Sequence, residues 1–118
     1  MKMSKWISTG AAVAGFAVAM VSSSVAMAGD IEEGKALAFS KKKGNCLGCH
    51  RIEGGAQAGD IAPPILMMKY RYPNKDELRA QIWDATAANP HSVMPPFGRH
   101  NIMTDSEIDK VTEFIYSL

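Results

Sequence analysis

Apolar positions in this chain recur with helical rather than strand spacing. Ile108, Val111, Phe114, Ile115 and Leu118 follow one another at intervals of one or three residues, which places them on one face of an α-helix. Thr104 and Glu107 stand just before this run. A threonine followed three residues later by glutamate is a capping box, so a last helix is expected to open at Thr104. A second apolar face, Leu78, Ile82, Trp83 and Ala85, lies between Asn74 with Glu77 and the pair Asn89-Pro90, a start signal and a breaker. An earlier helix is expected with Asp30 as its cap, running through Ile31, Leu37, Ala38 and Phe39. Lys41-Lys42-Lys43 would fall in its last turn, where cations complement the helix dipole, and Gly44 would stop it. Residues Gly54 to Pro64 and Asn89 to about Met103 read as loops. With no strand alternation and no internal repeat, the pattern predicts an all-α domain of three to four helices.

The first 28 residues have a different character. Lys2 and Lys5 form a positive start, an apolar stretch runs from about Ile7 to Val21, and Ala26-Met27-Ala28 precedes Gly29. This is the layout of a cleaved secretory signal peptide with an A-x-A site. The apolar stretch is short and rich in Ala, Gly and Ser, which argues against a retained membrane span. The expected organisation is therefore a leader over 1–28 and a single small domain over 29–118, exported to the periplasm and without a membrane anchor in the mature chain. Loss of the two leader lysines leaves the charge near balance, from 13 Lys and Arg against 12 Asp and Glu in the whole chain. That excludes the basic footprint of a nucleic-acid-binding protein. A domain this short normally needs a staple beside its core.

The two cysteines of the chain, Cys46 and Cys49, stand in Asn45-Cys46-Leu47-Gly48-Cys49-His50. Cys-x-x-Cys-His is the attachment signature of c-type haem. Two thiols three positions apart reach the two vinyl groups of one haem, and the next residue brings an imidazole to the iron. A dithiol redox pair needs a βαβ setting that the pattern lacks, and a structural zinc site needs four ligands. The staple would then be one covalently attached haem, its iron held on one side by His50.

The opposite axial position could be taken by Met67, Met68, Met94, Met103, His91 or His100. Met94 is favoured. It sits in Ser92-Val93-Met94-Pro95-Pro96-Phe97-Gly98, where two prolines stiffen the backbone, and a thioether suits a buried iron and raises its potential. Met67 and Met68 read as packing residues, and His91 or His100 would instead give bis-histidine ligation. Pro63 either supplies a carbonyl to the Nδ1–H of His50 or is an ordinary turn proline. Trp83 is read as core and, in so small a domain, as wall of the haem site. Phe97, Tyr70 and Tyr72 could form an apolar docking patch, although packing is their plainer role.

Gly34-Lys35-x-x-x-Phe39, the Cys46–His50 motif, Ala62-Pro63-Pro64 and Met94-Pro95 together resemble class I cytochromes c over essentially the whole of 29–118. Three longer stretches, Lys43 to Gly55, Gln81 to Thr86 and Val93 to His100, are similar to the SoxX family, the monohaem subunit of the thiosulfate-oxidising SoxAX complex. The resemblance implies the class I cytochrome c fold, a His50/Met94 haem and a SoxA-like partner subunit. It also implies a SoxYZ-like carrier whose cysteine receives thiosulfate, and a downstream cytochrome acceptor. The activity of that complex is described as L-cysteine S-thiosulfotransferase. A sulfur–sulfur bond formed through a protein thiol needs a free cysteine, and haem attachment would leave none here. The expected role is thus electron relay, with conjugation on the partner. A diffusible class I cytochrome and a gas-binding or catalytic haem protein whose Met94 dissociates are the competing roles.

Overall fold

A computed structural model describes residues 22–118 of the chain. Lys2, Lys5 and the apolar stretch to Val21 lie outside the described residues. Among those described, five α-helices follow in order: α1 Ser22–Phe39, α2 Met68–Arg71, α3 Lys75–Trp83, α4 Ala85–Ala88 and α5 Asp105–Tyr116. A single 3-10 turn spans Cys46–Gly48. The only β-type pairing among them is an isolated parallel bridge, Ile52 with Ile65. The all-α expectation holds, with three longer helices and two of a single turn each. None of the described helices is long and apolar enough to cross a membrane.

Helix α5 forms where its capping box lies. Glu107 N–H donates to Thr104 Oγ1 at 3.2 Å, and Thr104 N–H donates to Glu107 Oε2 at 2.8 Å. Those bonds, with Lys43 beside the carboxylate, hold Glu107 below the usual carboxylate range. Its predicted stripe is buried at Ile108, Val111, Phe114 and Ile115. Helix α3 opens at Asn74, whose side chain accepts from Asp76 N–H at 3.0 Å.

Helix α1 corrects one expectation. Asp30 does not cap it but lies inside it, because Ala26-Met27-Ala28 are good helix formers and nothing breaks the run before Phe39. Lys41, Lys42 and Lys43 fall in the turn after the helix instead of its last turn. Gly44 closes that turn by donating to Leu37 O at 3.1 Å.

The core sits where α1 and α5 cross, with α3 packed on α5. Gly34 makes that crossing possible, since a Cβ there would lie 1.9 Å from the carbonyl oxygen of Lys110. One turn further on, the rings of Phe39 and Phe114 meet edge to face, 5.7 Å between centroids. Ion pairs rim these helix contacts: Lys110 with Glu33 between α5 and α1, and Lys75 with Glu113 and Arg79 with Asp109 (2.6 Å) between α3 and α5. All are partly solvated and contribute little, so apolar burial carries the fold. Gly34→Ala is expected to lower unfolding stability by about 2 kcal/mol, within the range for overpacking. A denaturant midpoint equal to that of the parent protein would contradict the crossing described.

Candidate haem-binding site

The Cys46–Gly48 turn presents both thiols and the imidazole on the same side of the chain. Cys49 N–H and His50 N–H both donate to Cys46 O, at 3.2 and 2.8 Å, so His50 follows immediately on the wound segment. Asn45, just before it, takes a left-handed conformation (φ 45°), which asparagine tolerates better than most residues. Cys46 and Cys49 are unpaired. Burial pushes the Cys46 thiol up to about 11, its own backbone hydrogen bond opposing and Cys49 adding a smaller upward push. A neutral, half-buried thiol is the reverse of the activated thiolate that dithiol redox chemistry uses.

Two cavities meet at these residues. The larger, about 520 Å³, opens past Cys46, Cys49 and Ile61 on one side and Val93 and Met94 on the other. The smaller, about 250 Å³, runs inward between Leu78, Ile82, Met68, Met103, Val111 and Ile115. Cys46, His50, Pro63, Gln81, Met94 and Phe97 line both. The combined space is of the size that holds a cofactor, about 300–1,000 Å³. Its walls are largely apolar, with a ring nitrogen and a thioether on the shared rim.

The six candidates for the second axial position separate here. Met94 alone among them lines both cavities, together with His50. Met68 and Met103 are buried and line only the inner cavity; His91 lines only the outer one. His100 and Met67 line neither. Of the two residues expected to pack, Met68 does so, whereas Met67 is exposed in a left-handed conformation.

His50 Nδ1 lies 2.7 Å from the carbonyl oxygen of Pro63. A carbonyl can only accept, so Nδ1 bears the proton and Nε2 keeps its lone pair. The neighbouring carbonyl, Pro64 O, accepts from Arg71 Nη1 at 3.0 Å, which ties the Pro63-Pro64 segment to α2. Of the two readings of Pro63, the structure realises the carbonyl acceptor.

Trp83 requires a correction. It lines neither cavity and is 36% exposed. At about 100° per residue it points roughly 100° from Ile82 and 140° from Leu78, off the inward face of α3. The residue of this helix that lines both cavities is Gln81, one turn after Leu78. Its polarity hid it from a search for apolar periodicity, although the i, i+3, i+4 spacing of Leu78, Gln81 and Ile82 gave the signal. The docking patch also dissolves: Phe97 is buried in the site, Tyr72 lines the inner cavity, and Tyr70 is 81% exposed. The apolar residues at the outer mouth are Ile61 and Val93, 75% and 86% exposed.

The donor set and the space fit haem. Two thiols lie at thioether spacing, a histidine of fixed tautomer follows them, and a methionine shares both cavities with it. Compared with known proteins, the chain is matched over residues 31–118 by the cytochrome c family profile. No curated protein matches it.

Proposed function

This chain belongs to the cytochrome c family, carries covalently bound haem c and transfers electrons, and we propose that it does so as the SoxX-like subunit of a periplasmic thiosulfate-oxidising complex. When bound, the haem supplies a one-electron iron couple. Cys46 and Cys49 would tether it, His50 would ligate the iron through Nε2 while Pro63 O fixes the imidazole, and Met94 would be the second iron ligand. The observation that carries this assignment is that Met94 alone of the six candidates shares both cavities with His50. Phe97, Met68 and Leu78, all buried at the site, keep water from the iron.

With His50 and Met94 as ligands and both cysteines committed, the chain would offer a substrate neither an open metal site nor a thiol. Conjugation of thiosulfate to a carrier cysteine therefore belongs to a SoxA-like partner, and this chain receives or relays the electrons released. The similarity of the Lys43–Gly55, Gln81–Thr86 and Val93–His100 stretches to SoxX supports that placement. The leader reading over 1–28 supports export, and Ala26–Gly29 are exposed in the structure. The alternative is a diffusible class I cytochrome that shuttles electrons between larger enzymes.

A reconstituted assay of thiosulfate conjugation to the carrier, with and without the haem-loaded chain, separates the two. Loss of most activity on omission, together with stable co-purification with a second haem protein, is expected of the subunit. Full activity without it would sink that role and leave the shuttle.

A further inference from the structure

Among the described residues, the segment from Asn89 to Met103 has no helix or strand of its own, yet it carries Met94. On the N-terminal side its bonds are local: His91 N–H to Asn89 Oδ1, Ser92 N–H to Asn89 O, and Met94 N–H to Ser92 Oγ at 3.3 Å. Pro95 and Pro96 then offer no N–H. The first backbone tie to the rest of the fold after Met94 is Gly98 N–H to Trp83 O, 3.0 Å.

Next to that tie is an ion pair. Arg99 Nε donates to Asp84 Oδ2 at 2.7 Å, and Arg99 Nη2 donates to Thr86 Oγ1 at 3.2 Å. The Asp84 side chain is only 11% exposed, and its Oδ1 accepts from the Thr86 N–H at 3.0 Å. A nearly buried carboxylate with both oxygens engaged is a fixed anchor. Gly98 completes the arrangement, for a Cβ there would sit 2.0 Å from Cδ1 and Nε1 of the Trp83 indole. The indole therefore lies against loop backbone, which accounts for its absence from the haem cavities.

We infer that Arg99 and Asp84, with Gly98 seated on Trp83, form a clip that positions the Met94 loop and sets how firmly Met94 stays on the iron. The inference rests on Met94 being the sixth ligand. Dissociation of Met94 requires its loop to move away from the pocket. Phe97 is buried within the site, so movement must begin at the exposed side, where the clip is. Breaking the clip raises the population of the open loop, and a ligand that binds only the open form reports that population directly.

The test uses haem-loaded protein and two readouts: the weak red methionine-to-iron band of the oxidised form, and carbon monoxide binding to the reduced form. Arg99→Met is expected to weaken the band and to strengthen carbon monoxide binding roughly tenfold, the effect of losing its partly exposed hydrogen bonds to Asp84 and Thr86. Arg99→Lys, which restores the charge without the fork, is expected to recover part of the difference. Gly98→Ala keeps the ion-pairing groups but forces loop and indole apart, and is expected to act in the same direction. Variants that match the parent protein in band and carbon monoxide affinity, even with a lowered melting temperature, would overturn the clip. A parent protein that lacks the band and takes up carbon monoxide freely would overturn the ligand assignment itself, a different and separable result. If Arg99→Met does not accumulate with haem, Thr86→Val removes one acceptor from Arg99 and gives the same readout on a smaller scale.

Discussion

Replacing Cys46 and Cys49 together with alanine is expected to abolish covalent haem retention and most of the native helical signal. The thiols are the chain's only cysteines, so nothing else can form the thioethers. The structural loss follows from what the cofactor touches. Both cavities are walled by residues from the Cys46–His50 segment, the Pro63 loop, the Met94 loop and, on the inner side, α3 and α5. Without the group, these walls face an open space in a domain too small to tolerate one. The measurement is a haem stain of the denatured protein together with far-ultraviolet circular dichroism. Retention of haem through denaturation would contradict the tether, and a full helical spectrum without haem would contradict its role as staple.

Met94→Ala is expected to remove the red methionine-to-iron band entirely and to open the reduced iron to carbon monoxide. Its reduction potential is expected to fall by on the order of 0.1 V, a fraction of the roughly 0.8 V span that axial ligation sets. The direction follows from the ligand, since thioether coordination raises the potential relative to a second imidazole. His91 is the candidate nearest to replacing it, because it lines the outer cavity beside Met94, whereas His100 lines neither. A Met94→Ala protein that keeps the band and still excludes carbon monoxide would place the ligand elsewhere.

The parts of this molecule legible in the sequence are those decided locally. The α5 capping box needs only Thr104 and Glu107, and both of its bonds form. The haem motif is legible for the same reason, its three functional groups lying within five residues. The α3 region is less legible because Leu78 to Ala85 has the spacing of a single helical face. Asp84 interrupts it in extended conformation (φ −156°), ending α3 and capping α4 through Thr86 N–H. The face therefore ends at Ile82, and Trp83 turns outward. Asp30 is the opposite case: a good capping residue lies inside a helix that its neighbours extend.

Met94 is favoured in the sequence by the two prolines that follow it, but the other five sulfur or imidazole side chains stay open there; their positions around the two cavities set them apart from it. Gln81, the Arg71–Pro64 tie and the Arg99–Asp84 pair were hidden for a related reason. Each is polar and each works through a partner on another segment, so neither periodicity nor local spacing marks it. The Gly34 crossing was visible only as part of a family resemblance; the contact with Lys110 O explains why glycine stands there.

The central claim is that this is a six-coordinate, His50/Met94 electron-transfer haem rather than an open catalytic or gas-binding one. Exposure of the reduced, haem-loaded native protein to carbon monoxide at neutral pH tests it most directly. No change in the haem spectrum is the predicted result. Prompt formation of a carbon monoxide adduct would show an iron with a free or readily vacated position, and would contradict the account.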